Sequence, residues 1–149
     1  MGVLVGIARR DKKRAPMETM ERAEISAGTG VASDSRGKPG KRQVTVLTAA
    51  AWRDACEALG ADVPWTTRRA NLLVEGIELE DVEGAVLRIG DAELRVTGEL
   101  EPCSRMDEQQ PGLTRALQPN WRGGVTCTVV KGGFVAVGDT VTVDPVPAD

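Results

Sequence analysis

One cysteine of three stands in a setting that could change its chemistry. Cys103 lies in Glu101-Pro102-Cys103-Ser104-Arg105-Met106-Asp107. Ser104 and Asp107 match the S-x-x-D form of a helix N-terminal capping box. A helix starting there follows Cys103 immediately, and its partial positive charge together with Arg105 favours thiolate over thiol. Pro102 stops the preceding strand and holds the segment in a turn. A thiol of lowered pKa suits a nucleophile, a persulfide carrier or a soft-metal ligand. The same residues also read as an ordinary loop cysteine, because capping-box matches arise by chance. Local physics leaves both readings open. Cys56 and Cys127 read differently, the first on a helix face and the second on an inward strand face, both as inert core groups.

The rest of the composition limits what Cys103 can work with. The 149-residue chain has no histidine, which removes Ser-His-Asp triads, Cys-His dyads and His-ligated zinc. It has no tyrosine, and its aromatics are Trp52, Trp65, Trp121 and Phe134, too few for a base-stacking platform. An odd cysteine count with no Cys-x-x-Cys pair argues against a disulfide framework. Nineteen Lys+Arg against 22 Asp+Glu gives a net charge of −3, which argues against a nucleic-acid partner. No apolar stretch approaches a membrane span and no signal-peptide core follows Met1, so the expectation is a cytoplasmic protein without a membrane partner. Length and a 41% hydrophobic content predict one domain over residues 1–149. Oligomeric state is not legible.

The elements that must position Cys103 are mostly short strands. Gly2–Ala8 reads as a strand with Val3, Val5 and Ile7 on one face. The basic run Arg9, Arg10, Lys12, Lys13, Arg14 reads as a solvated loop or an anion contact. Residues 26–41, rich in Gly, Ser and Pro and carrying Arg36, Lys38 and Lys41, read as a long irregular loop of functional length. A strand at Gln43–Leu47 leads to Thr48, an N-cap for a helix over 49–59 that Gly60 ends. Trp52, Ala55, Cys56 and Leu59 share one face of that helix. Ala70–Val74 reads as a strand, Ala85–Ile89 and Ala92–Val96 as a hairpin through Gly90-Asp91, and Val125–Val129 as a half-buried strand. Gly138-Asp139 repeats the hairpin pattern. The fold predicted is mainly β, an antiparallel β-barrel with one clear helix at about 49–59 and short helical turns near 104–118.

At this point the chain resembles a known family, the MOSC domain, named for the C-terminal domain of molybdenum cofactor sulfurases. The resemblance begins in the glycine-rich loop running into Arg42-Gln43-Val44-Thr45-Val46-Leu47 and continues through Arg68-Arg69-Ala70-Asn71-Leu72-Leu73-Val74-Glu75-Gly76. It then takes in Leu87-Arg88-Ile89-Gly90, Glu101-Pro102-Cys103, Pro111-Gly112-Leu113, Arg122-Gly123-Gly124-Val125 and Gly133-Phe134-Val135-Ala136-Val137-Gly138-Asp139. Order and spacing around one Pro-Cys carry it, not any single piece. The chain departs from the family in its long loop. Many members show Gly-Asp followed by His, where this sequence reads Gly30-Val31-Ala32-Ser33-Asp34-Ser35.

The resemblance implies a strand-rich barrel, a connection to the molybdenum cofactor (molybdopterin), and a signature cysteine at Cys103. It implies that this cysteine carries sulfur or, in molybdenum-binding relatives, ligates the metal. It also maps a cofactor-site element onto Arg69 and Asn71. A phosphorylated pterin dithiolene is anionic and calls for cations and hydrogen-bond donors. Arg42, Arg69 and Arg105 are the candidate cations, Asn71 and Ser104 the candidate hydrogen-bond partners, and Cys103 the candidate catalytic thiol and metal ligand. No lysine sits in a Schiff-base context, so no pyridoxal-phosphate desulfurase is expected within these residues. A cysteine desulfurase or an electron-donor protein is then the expected partner. Three functions remain: a sulfur carrier with a Cys103 persulfide, a molybdenum-dependent reductase of N-hydroxylated compounds with Cys103 on the metal, and a non-catalytic barrel that binds a small anion or a partner. If Arg69 and Asn71 alternate along one strand, they and Cys103 line a common cleft with the 26–41 loop at its rim.

Overall fold

Runs of β-branched residues broken at glycine turns set the strand lengths. The computed structural model describes residues 1–10, 15–32, 34, 37–102 and 105–146. The basic run from Lys12 to Arg14, Arg36 in the long loop, and Cys103 and Ser104 lie outside the described residues. Eleven strands are described: β1 (Gly2–Arg9), β2 (Glu18–Met20), β3 (Arg22–Ser26), β4 (Gly30–Val31), β5 (Val44–Thr48), β6 (Leu72–Glu75), β7 (Val86–Ile89), β8 (Ala92–Glu99), β9 (Val125–Lys131), β10 (Gly133–Ala136) and β11 (Thr140–Asp144). Helices α1 (Ala49–Leu59), α2 (Arg105–Gln109) and α3 (Leu113–Leu117) complete the regular structure, with 3-10 turns at Trp65–Arg68 and Pro119–Trp121.

Seven strands close into a barrel in the order β11-β7-β8-β9-β5-β6-β1, with β1 returning to β11 through Gly2↔Val141 and Val3↔Thr140. Closure removes the free edges that an open sheet of this size would present. Strand β2 extends the sheet beyond β1, and β10-β3-β4 form a separate small sheet. The expected mainly β barrel is therefore present, with one departure from antiparallel order. Strands β5 and β6 run parallel, Val46 beside Leu72 and Thr48 beside Val74. Parallel neighbours need a crossover, and α1 supplies it. Thr48 Oγ1 accepts from Ala51 N at 3.1 Å and Gly60 ends the helix at φ 74°, donating to Cys56 O and Glu57 O.

The barrel interior is filled by alternate residues such as Val44, Val46, Leu72, Val74, Val125 and Cys127. A second core lies outside the barrel wall, where Leu47, Trp52, Ala55, Leu113 and Leu117 pack together. Leu113 and Leu117, four apart, present one face of α3 to α1. Trp52 Nε1 donates to Val63 O at 2.8 Å, so the buried indole keeps a partner.

Four details correct the sequence reading. In β1 the register shifts between Leu4 and Gly6, so Leu4 is buried with Gly6, Ile7 and Ala8, while Val3 and Val5 are only partly buried and the expected Val3-Val5-Ile7 stripe is absent. A bulge changes which side chains face inward, and the alternation rule cannot anticipate it. Gly138-Asp139 joins β10 and β11, which belong to different sheets, so it is no hairpin. Its backbone docks on β1 instead, Gly138 N donating to Leu4 O at 2.7 Å and Leu4 N to Asp139 O at 2.8 Å. The 26–41 stretch contains β4, and buried Gln43 ties it down by donating to Ala27 O and Gly37 O and accepting from Val129 N. Finally, the strand expected at Ala70 starts at Leu72.

Candidate functional site

The alternation that sends Val46, Leu72 and Val125 inward leaves polar side chains on the outer wall of the same strands. Leu47 and Leu73 on that face meet the second core. One layer along, the face carries Asn71, Thr45, Thr126 and Thr97. Asn71, Thr45 and Thr126 are all buried. Asn71 Oδ1 accepts from Thr45 N at 3.1 Å and from Thr45 Oγ1 at 3.2 Å. Its Nδ2 donates to Ala8 O at 3.1 Å, which links β6 to β1 as well as to β5. Thr126 lies opposite Thr45 in the ladder, and its hydroxyl is 2.7 Å from that of Thr97. Thr97 Oγ1 also meets Lys41 O at 2.5 Å. The row crosses β6, β5, β9 and β8, three inter-strand steps or roughly 14 Å. In the chain, Arg68 and Arg69 come just before Asn71, and Lys41, whose carbonyl meets Thr97, and the exposed Arg42 come just before β5.

Arg69 and Asn71 do not alternate along a strand. Arg69 closes the 3-10 turn in a left-handed conformation, φ 66° and ψ 30°, and Asn71 is the bend residue ahead of β6. Pro64 sets the start of that turn, and a non-glycine residue held left-handed is a strained position. The Arg69 guanidinium Nη2 donates to Ala15 O. Arg42 is exposed, and Arg105 is the first residue of α2. The structure therefore brings Arg69 and Asn71 together at one end of the polar row and puts Arg42 toward the other. The shared cleft with Cys103 and Ser104 falls outside the described residues. Asp107, the second half of the capping box, accepts from Thr114 N at 3.0 Å and so serves the start of α3.

What precedes and follows Cys103 is well defined. Glu99 pairs with Val125, and Leu100 N donates to Gly124 O at 2.8 Å. The segment carrying Cys103 thus leaves the barrel one layer from Thr126 and Gly98. Arg68, 5% exposed, reaches this exit: Nη2 donates to Leu100 O at 2.6 Å, Nε to Gly123 O at 3.0 Å, and Nη1 meets Met106 Sδ at 3.6 Å. The Glu99 carboxyl is held above its usual range by partial burial, then by Glu101 and Asp81, while Arg68 opposes the shift. Of the other thiols, Cys127 is fully buried and burial pushes it well above the ordinary thiol range. Cys56 is half-buried with Sγ 3.7 Å from Val63 O. Among the described residues no group of three or more His, Cys, Asp or Glu is placed to hold a metal ion. No helix among them is long and apolar enough to cross a membrane.

Sequence reasoning missed Arg68 and the threonine row. Thr45 and Thr126 look in sequence like solvent-facing positions of half-buried strands. Nothing local distinguishes Arg68 from Arg69; only the tertiary contacts do.

The closed seven-stranded barrel with its crossover helix defines the class by fold, and the comparisons agree with that fold. The sequence matches the MOSC domain family over residues 23–142, and the chain belongs to that family. The YuaD protein of Bacillus subtilis is similar in structure, with a TM-score of 0.83 at 21% identity, covering 99% of this chain and 98% of that one. YiiM of Geobacillus stearothermophilus gives 0.70 at 16% identity, over 95% of this chain and 72% of its own. YiiM of Escherichia coli gives 0.72 at 14%, over 99% and 72%. At such identities these likenesses speak for the fold alone. No curated protein matches the chain by sequence.

Proposed function

We propose that this chain binds a molybdenum cofactor along the outer polar row and handles its sulfur through a persulfide on Cys103. The observation that carries the reading is the position of the row, which adjoins the exit of the Cys103 segment, with Arg69 two residues before Asn71 and the exposed Arg42 two residues before β5. The cations suit an anionic pterin: Arg69 and Arg42 offer charge-assisted hydrogen bonds, while the threonine hydroxyls, engaged with Asn71 and with one another, stiffen the wall behind it. Ser104 and Arg105 would join them from the sequence. Asn71 contributes by holding the row in place, since both ends of its amide are engaged with the framework. When bound, the cofactor supplies a dithiolene-held metal centre, to which a thiolate is a suitable soft ligand. The Cys103 thiolate attacks the outer sulfur of a persulfide on a cysteine desulfurase partner, the partner's S–S bond breaks and its thiolate leaves, and Cys103 keeps the sulfur as Cys–S–S⁻ until it is passed on. A metal-ligating Cys103, with electrons from a donor protein, is the reductase version of the same site.

The test is expression in a cofactor-competent host, followed by metal, pterin and peptide-mass analysis of wild type and Cys103→Ala. A sulfur adduct on the Cys103 peptide supports the carrier. Stoichiometric molybdenum with pterin that is lost in Cys103→Ala supports the reductase. Neither adduct nor cofactor in the wild type overturns both and leaves a binding barrel.

A further inference from the structure

Arg68 is buried to an extent unusual for an arginine, and three of its partners, Leu100, Gly123 and Met106, share a location. Leu100 is three residues before Cys103 and Met106 three after it. Each lies within roughly 11 Å of the cysteine Cα, the limit set by three Cα–Cα steps. A guanidinium carries five N–H groups in a rigid planar fork, so it can engage acceptors in several directions at once. Here each of its three nitrogens meets a different residue, Leu100, Gly123 or Met106. We propose that Arg68 is the positioning residue of this site, its fork fixing both ends of the Leu100–Met106 segment against Gly123. The inference rests on the reading of Cys103 as the functional thiol.

Gly123 supplies the second line of argument. A Cβ on it would lie 2.6 Å from Leu100 O and 3.0 Å from Arg68 Nη2, so three chain segments meet with no room for a methyl group. Close packing of backbone around one guanidinium makes the joint rigid in all three directions. Electrostatics give the charge a use that a neutral amide could not meet. The charged groups on the elements bordering the segment are Glu99 at the end of β8 and Glu101 just after it, Asp107 and Glu108 on α2, and Arg122 just before Gly123, with Asp81 acting on Glu99 and Arg105 next to Ser104 in sequence. At Glu99 the Arg68 charge opposes the neighbouring carboxylates, and by the same sign it would favour a thiolate carried on this segment.

The experiment uses the full chain, with Arg68→Gln, Arg68→Lys and Gly123→Ala. Hydrogen exchange of the amides from residue 100 to 106 reports position, and the pH profile of Cys103 alkylation by iodoacetamide reports charge. Arg68→Gln is expected to speed exchange in that segment at least about tenfold, while α1 is unchanged, and to move the alkylation midpoint up by about half a pH unit or more. Arg68→Lys, which keeps the charge without the fork, is expected to restore the midpoint but not the slow exchange. Gly123→Ala alters no charge, and it should reproduce the faster exchange alone. That variant decides the matter if Arg68→Gln does not fold. Unchanged exchange at 100–106 in the folded variants overturns the proposal. If Cys103→Ala leaves sulfur and molybdenum loading intact, the functional reading fails, whereas the exchange result on Arg68 still stands.

Discussion

Replacing Asn71 by alanine tests whether this residue belongs to the framework or to the ligand. The substitution removes the acceptor of Thr45 N, a partner of the Thr45 hydroxyl, and the donor to Ala8 O. Each buried polar group that loses its partner costs roughly 1–3 kcal/mol, because water cannot reach it to compensate. Thr45 N and Ala8 O are two such groups, and a sum of about 3 kcal/mol follows, allowing the hydroxyl to turn to another acceptor. For a domain of this size each kcal/mol moves the melting temperature by about 2–4 °C, so a fall of roughly 6–12 °C is expected. The assay is urea and thermal denaturation of the protein prepared without cofactor, so that a lost ligand cannot account for the change. Asn71→Asp keeps the acceptors but brings a charge against the Ala8 carbonyl, and is expected to cost at least as much at neutral pH. A change below about 1 kcal/mol in Asn71→Ala would refute the reasoning, since a substitution away from such features costs no more.

The other expected outcomes are simpler. Alkylation of the native protein and peptide mapping should label Cys103 ahead of Cys56 and Cys127, with Cys127 protected until unfolding; preferential labelling of Cys127 would contradict its inward placement. Thr48→Ala removes the cap of α1 and should cost about 1 kcal/mol in denaturant unfolding, with the fold retained. Glu99→Gln should raise the melting temperature slightly near pH 7. A carboxyl raised in the folded state binds its proton more tightly there than in the unfolded chain, so its destabilising effect is complete above the folded pKa and fades as pH falls through the unfolded value. The gain over wild type should therefore shrink in melts at pH 4, and a gain that grows on acidification would contradict the cause assigned.

Much of the fold was legible because the relevant signals are local. Thr48 and Gly60 mark the ends of α1 by cap chemistry, and Gly90-Asp91 announces its hairpin by turn chemistry. Alternation placed Cys127 inside. What was not legible depends on register or on distant partners. The bulge in β1 shifts a face without any residue that demands it. The parallel pairing of β5 with β6 is fixed by how α1 packs on the barrel. Arg69 and Asn71 do not alternate along a strand as expected, because Arg69 closes a left-handed turn whose need for positive φ no residue type there announces. Thr45 gains its meaning only when Asn71 is brought beside it, 26 residues along the chain.

The barrel is closed by the earliest strand meeting the latest. Strand β1 fills the gap between β6 and β11, yet residues 23–142, the span that carries the family's sequence pattern, do not include it. A fragment trimmed to that span would keep most of the recognisable residues and lose the seam. Two strand edges, on β6 and on what remains of β11, would then be open to other chains, an invitation to aggregation. The same geometry makes folding non-local, since Gly2 must find Val141 before the ring is complete, and contacts so far apart in sequence form slowly. During synthesis the partly made sheet stays open until β11 has emerged. It follows that in this chain the span matching the family pattern is not the folding unit. Joining the two seam strands by a short linker and reopening the chain in an exposed loop, by contrast, should leave the barrel intact.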